Sequence, residues 1–207
     1  MKIQHSNIQL AGHSLQRIDF DPATFQPEDL FWLPHHALLT DCARKRQTEH
    51  LAGRIAAAYA LREVGEKDVP AIGDQRQPLW PVPWYGSISH SKQTALAVVS
   101  AGPVGIDIER IMTPSLAADL ESSIVNAEEK TLLDASGLPF ELALTLAFSA
   151  KESVFKACHA NVQAGRGFTD FELMYIKEGI LLLRLSAKEF RLQWIKAGEF
   201  VITLCSS

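Results

Sequence analysis

Four short stretches hold the residue types that do chemistry. The first is Gly105-Ile106-Asp107-Ile108-Glu109. If it is a strand, Asp107 and Glu109 share one face about 7 Å apart, while Ile106 and Ile108 enter the core. Two neighbouring carboxylates repel unless a cation joins them, and oxygen ligands suit Mg²⁺, which usually takes substrate phosphate as well. The plainer reading is a solvent-facing acidic edge. The second stretch is Phe148-Ser149-Ala150-Lys151-Glu152-Ser153-Val154-Phe155-Lys156. On a helix, at about 100° per residue, Lys151 falls inside an apolar arc between Leu144 and Phe155. An ammonium in such an arc snorkels or meets an anion. Glu152 lies roughly a quarter turn away. The plainer reading is a surface Glu152–Lys156 pair, worth only about 0.2–0.5 kcal/mol.

The third stretch is basic: Arg44, Lys45, Arg46 and Arg54 lie on one helix. Arg46, His50 and Arg54 drift only about 80° around it and share one broad side. Arginine suits bidentate phosphate binding, and Arg76 from a proline-rich loop can join the patch. A solvated basic face is the alternative. The fourth stretch is Gly86-Ser87-Ile88-Ser89-His90-Ser91. Alternation puts Ser87 and Ser89 on one face, with His90 on the other or at the strand end. Hydroxyls, backbone N–H groups and imidazole all bind phosphate; a hydrogen-bonded strand end is the alternative. A Ser/His nucleophile pair lacks its G-x-S-x-G elbow. Trp80, Trp84 and Tyr85, set among prolines, read as loop packing before ligand stacking. Taken alone, these residues point to metal-assisted chemistry on a phosphate ligand.

The chain that must position them has 207 residues, 47% hydrophobic and 21% charged. That supports one large domain or two small ones with a real core, and excludes global disorder. A net charge of -4 argues against a general nucleic-acid binder. No run is long and apolar enough to span a membrane, and the polar start reads as no secretory signal. Cys42, Cys158 and Cys205 form neither a disulfide framework nor a zinc cluster. The chain reads as cytoplasmic, with peripheral attachment at the inner membrane left open.

Arg17–Phe20 alternates as a strand. A helix capped at Thr40 or Asp41 is expected to run to about Val64, burying Leu51, Ile55 and Tyr59, and to stop at Gly65. Pro70 to Trp84 reads as a loop. Thr94–Ser100 and Val104–Glu109 read as the two arms of a hairpin turning at Gly102-Pro103. A linker around Thr113-Pro114-Ser115 opens the second half. Asn126 and Glu129 make a capping box for a short helix ended by Gly137. The strongest helix of this half runs from Phe140 to about Ala160, and a loop at 161–169 precedes four strands, Phe171–Ile176, Ile180–Ser186, Phe190–Ile195 and Phe200–Cys205. Each half is therefore a long helix beside an antiparallel sheet, an α+β class with expected halves 1–103 and 104–207.

In this order the four stretches resemble the 4′-phosphopantetheinyl transferases of the larger, monomeric, Sfp-like type. Those enzymes carry a Gly-x-Asp-x-Glu strand and, some forty residues later, a Trp/Phe-x-x-Lys-Glu-x-x-x-Lys helix. Arg44–Arg54, Arg76-Gln77-Pro78-Leu79-Trp80-Pro81 and Tyr85–His90 are similar to the branch acting in enterobactin siderophore biosynthesis. Phe148 stands where tryptophan is common, and Ser153 where alanine is common; both bear on fine substrate packing, not on metal binding or proton transfer. The resemblance implies two similar α+β halves related by a pseudo-twofold axis, with coenzyme A in the cleft between them. It implies transfer of the phosphopantetheine arm to a serine of an apo aryl or peptidyl carrier domain, part of a nonribosomal peptide synthetase, releasing adenosine 3′,5′-bisphosphate. It further implies that Asp107, Glu109 and Glu152 hold Mg²⁺, with Mn²⁺ a substitute, and that Glu152, directly or through a water, accepts the serine proton. Lys151 stabilises the leaving phosphate with help from Lys156. Arg46, Arg54, Arg76, Ser89 and His90 anchor the coenzyme, joined by Asp107, Lys151 and Lys156. Arg166 is expected to face the acidic carrier. A Mg²⁺-dependent phosphohydrolase and a non-enzymatic carrier-binding scaffold are the rival readings.

Overall fold

A computed structural model describes residues 1–158 and 167–206. The chain divides into two compact units, Met1–Gly102 and Pro103–Ser207. No described helix is long and apolar enough to cross a membrane.

The first unit opens with a hairpin of β1 (Lys2–Leu10) and β2 (His13–Asp21). Only Arg17–Phe20 of it is visible as sequence alternation, because β1 is exposed along almost its whole length and has no buried face to alternate. Three short 3₁₀ turns then lead to α1 (Arg44–Glu63). The expected cap at Thr40 or Asp41 is not used: Ala43 occupies the N-cap without a side-chain bond. Gly65 does close the helix, at φ +85°, a conformation other residues adopt only with strain. Leu51 is buried, whereas Ile55 and Tyr59 are only half-buried; the tight face is made of Ala52, Ala56, Ala57 and Ala60. These alanines let α1 lie close against the sheet, and they carry too little hydrophobic signal to mark it.

After a small ribbon of β3 (Ala71–Ile72) and β4 (Pro78–Leu79) come β5 (Tyr85–Ser91) and β6 (Thr94–Ser100). The antiparallel order is β1-β2-β6-β5. The hairpin arm opposite β6 is thus β5, not Val104–Glu109. Trp80 packs over Gly86, where a Cβ would meet its ring at 2.6 Å, so this aromatic is loop packing.

In the second unit β7 (Val104–Arg110) is an edge strand. The expected linker is instead α2 (Pro114–Ile124), whose N-terminal N–H groups are capped by Thr113. Then follow α3 (Ala127–Ala135), with the Asn126/Glu129 capping box formed, and α4 (Phe140–Ala157). The last strands are β8 (Glu172–Lys177), β9 (Ile180–Leu185), β10 (Lys188–Ala197) and β11 (Phe200–Ser206), matching the four expected. The antiparallel order is β7-β11-β10-β9-β8. An apolar core of Leu144, Ala147, Val154, Phe171, Leu183 and Leu192, among others, fills the space between α4 and this sheet.

Candidate active site

In the second unit the approach of α4 to β7 is set by Gly105. A Cβ there would lie 1.9 Å from the Ser153 carbonyl oxygen and 2.7 Å from the Ala157 nitrogen. The glycine that opens the carboxylate stretch is therefore the point where helix backbone meets strand backbone. Asp107 and Glu109, two and four residues on, share the Gly105 face. Asp107 is 2% exposed and Glu109 is half-buried, so the pair is not a solvated edge. Ile106 and Ile108 are buried on the opposite face.

Lys156 donates from Nζ to Asp107 Oδ1 at 2.7 Å and to the Ile106 carbonyl at 3.3 Å. Burial raises the Glu152 pKa above its ordinary value; Lys156 opposes that rise and the Asp107 charge adds to it. Glu152 and Asp107 thus share one electrostatic environment, with a lysine cation between strand and helix. Glu152 also lines a cavity of about 170 Å³ with Lys151, Phe155, Gly167, Phe168 and Phe171. Phe148 stacks on Phe168 at 5.0 Å.

Lys151 is held from inside the second unit. Its side chain is wholly buried, and Nζ is held by Glu129 at 2.8 Å and by the Ile124 carbonyl at 2.7 Å. Burial pulls its pKa down, against the hydrogen bond and charge of Glu129. The anion met in the apolar arc is internal: Glu129 and the Ile124 carbonyl hold the ammonium at the wall of the cavity that Glu152 also lines. Glu129 in turn accepts from the N–H groups of Leu173 (2.7 Å) and Asn126 (2.9 Å). Its capping-box spacing was legible; its second task was not, because nothing local links Glu129 to Lys151. Ser153 is likewise internal: with Ser149 it bonds to Thr203 of β11 at 2.7 and 2.9 Å. It ties helix to sheet and does not contribute to substrate packing.

The donor set suits a hard cation: all its ligand atoms are carboxylate oxygens, two of the groups feel each other's charge, and a cation already lies against one of them. Among the described residues, no group of three or more His, Cys, Asp or Glu side chains converges as a finished metal site.

The first unit gathers the basic residues. Arg46, Glu49, His50 and Arg54 of α1, Arg76 between β3 and β4, and Ile88 and His90 of β5 line a cavity of about 130 Å³. Ser89 is absent from this wall, since strand alternation turns it to the face opposite His90. Arg54 is 4% exposed; its Nη2 reaches the Ala71 carbonyl at 3.2 Å, while its buried Nε has no hydrogen-bond partner among the described residues. Burial, with the nearby Arg46 charge, lowers the Arg54 pKa to about 10. Arg44 instead bonds the carbonyls of Pro22, Ala23 and Phe25, and Lys45 pairs with Glu49 on the helix surface. His90 Nδ1 lies 3.9 Å from Glu49. Arg166 lies outside the described residues.

Comparison with known proteins matches both halves of the chain. Residues 34–100 match the 4′-phosphopantetheinyl transferase N-terminal domain, and residues 103–205 match the 4′-phosphopantetheinyl transferase superfamily. The chain is 51% identical over 205 residues to enterobactin synthase component D of Escherichia coli K12, covering 99% of this chain and 98% of that protein. It is 47% identical over 215 residues to the protein of the same name from Salmonella typhimurium, covering 100% of this chain and 92% of that one. With the carboxylate strand, the Lys-Glu helix and the basic pocket all in place, this chain belongs to the 4′-phosphopantetheinyl transferase superfamily.

Proposed function

We propose that this protein transfers the 4′-phosphopantetheine arm of coenzyme A to a serine of an apo aryl or peptidyl carrier domain in enterobactin biosynthesis. The other product is adenosine 3′,5′-bisphosphate. The observation that carries the reading is the electrostatic coupling of Glu152 on α4 to Asp107 on β7, with Lys156 between them. The enzyme acts in the cytoplasm as a monomer.

Asp107, Glu109 and Glu152 would hold Mg²⁺, which supplies charge neutralisation at the pyrophosphate when bound. The serine oxygen attacks the β-phosphorus in line; the bond from that phosphorus to the bridging oxygen breaks, and the electron pair leaves with the adenosine bisphosphate. Glu152 accepts the serine proton. Lys156 offsets charge on the leaving phosphate. Lys151, committed to Glu129, fixes α4 from inside. The pocket of Arg46, Arg54, Arg76 and His90 takes the 3′-phosphomonoester, a compact dianion that its guanidinium groups suit.

Intact mass of an apo aryl carrier domain, measured after incubation with the protein, coenzyme A and Mg²⁺, tests the reading. A gain of one phosphopantetheine, lost with EDTA, is expected. No gain across several apo carriers overturns it, and release of adenosine bisphosphate without any carrier would make the protein a hydrolase.

A further inference from the structure

One pair in the first unit has no place in that mechanism. His50 lines the basic pocket, and its Nε2 lies 3.0 Å from Nε2 of His35, with the rings edge to face at 86°. His35 comes from the segment before α1 and does not line the pocket. Two imidazole nitrogens at that distance share one proton: one donates and the other accepts. Among the described residues, Nε of Arg54 in the same wall is buried without a hydrogen-bond partner, and so is Nδ1 of His35. A buried guanidinium nitrogen of the pocket wall without an acceptor suits a missing anion, and an unpartnered Nδ1 fits the His35 tautomer whose proton is on Nε2.

We propose that His50 donates a hydrogen bond from Nδ1 to the 3′-phosphate, and that His35 is the positioning residue that makes this possible. By donating from its own Nε2 to Nε2 of His50, His35 keeps the His50 proton on Nδ1. This rests on placing the 3′-phosphate in the basic pocket. It adds to that reading a neutral donor whose tautomer is set from outside the pocket, just as the outer partner of a metal-bound imidazole sets which nitrogen is free.

The surroundings of the pair keep that donor neutral. The groups facing His50 are Arg46, Arg54 and Glu49 of its own helix, His90 from β5, Arg76 from the ribbon and His35 from the preceding segment, with His36 beside His35. In the free protein burial and the cationic neighbours keep His50 neutral, its pKa pushed down to about 3.

The test compares KM for coenzyme A with KM for 3′-dephospho-coenzyme A. In the wild type the phosphate should lower KM strongly; equal values would remove the 3′-phosphate from this pocket and the inference with it. Given discrimination, His35→Leu should shrink the ratio about tenfold, the loss expected for a hydrogen bond to a charged group. His35→Gln, whose amide N–H can still donate to Nε2 of His50, should restore it. An unchanged ratio in His35→Leu overturns the role of His35 and leaves the pocket assignment standing. Should His35→Leu fail to fold, the KM ratio in His50→Leu decides: a loss of discrimination of similar size supports the donor, and a ratio equal to the wild type's overturns it.

Discussion

At the scale of single residues, two carboxylates on neighbouring elements have opposite surroundings. Glu152 is half-buried beside Asp107 and lines a cavity; Glu129 is 3% exposed and saturated by three donors. Glu152→Ala is expected to abolish carrier modification in the mass assay while thermal unfolding stays close to the wild type. Glu129→Ala should do the reverse first: it strands a buried ammonium, which costs about 3–5 kcal/mol, read as a lower denaturant midpoint. Equal unfolding midpoints for Glu129→Ala and the wild type would refute the internal pair. Asp107, Glu109 and Glu152 stand out in the sequence because charged residues at strand and helix spacing are uncommon in an apolar setting. The fate of Lys151 was not, because its partner lies 22 positions back in the chain, on another helix.

At the scale of elements, the junction of α4 with β7 and β11 decides whether the site exists. Gly105 admits the helix backbone, and Ser149, Ser153 and Thr203 join helix to sheet. Gly105→Ala is expected to lose transfer and also to lower stability, by at least the ~1–3 kcal/mol typical of overpacking, because the obstruction is backbone that cannot rotate away. Denaturant unfolding with the carrier assay on the same sample checks both. Ser153→Ala should cost only about 1 kcal/mol, since Thr203 keeps Ser149, and should leave the KM for coenzyme A unmoved. Helix α4 and the last four strands could be read from periodicity. Strand β1 could not, having no buried face, and the partner of β6 was misjudged because a Gly-Pro turn signal cannot tell a hairpin from a passage between units.

At the scale of the whole molecule, each unit carries its own core and its own polar cluster. That organisation was visible as two runs of helix and strands; the buried histidine pair was not, since His35 sits in a proline-punctuated stretch with no period. Its effect on stability has a definite sign. His50 titrates ordinarily at 6.5 and in the fold only at about 3, so the unfolded chain takes up the proton first as pH falls. The contribution is complete above about pH 6.5 and is lost progressively toward pH 3. The melting temperature should therefore fall between about pH 6.5 and 5, above the range of ordinary carboxylates, and His50→Gln should flatten that slope. A wild-type melting temperature constant over this interval would contradict the buried neutral pair. In the second unit, Glu129 binds α3, α4 and the start of β8 through one side chain, so none of the three can open alone without leaving the others' charges or N–H groups unmatched. The amide protons of Asn126 and Leu173, 47 positions apart, should then exchange with solvent at the same rate, through one shared opening.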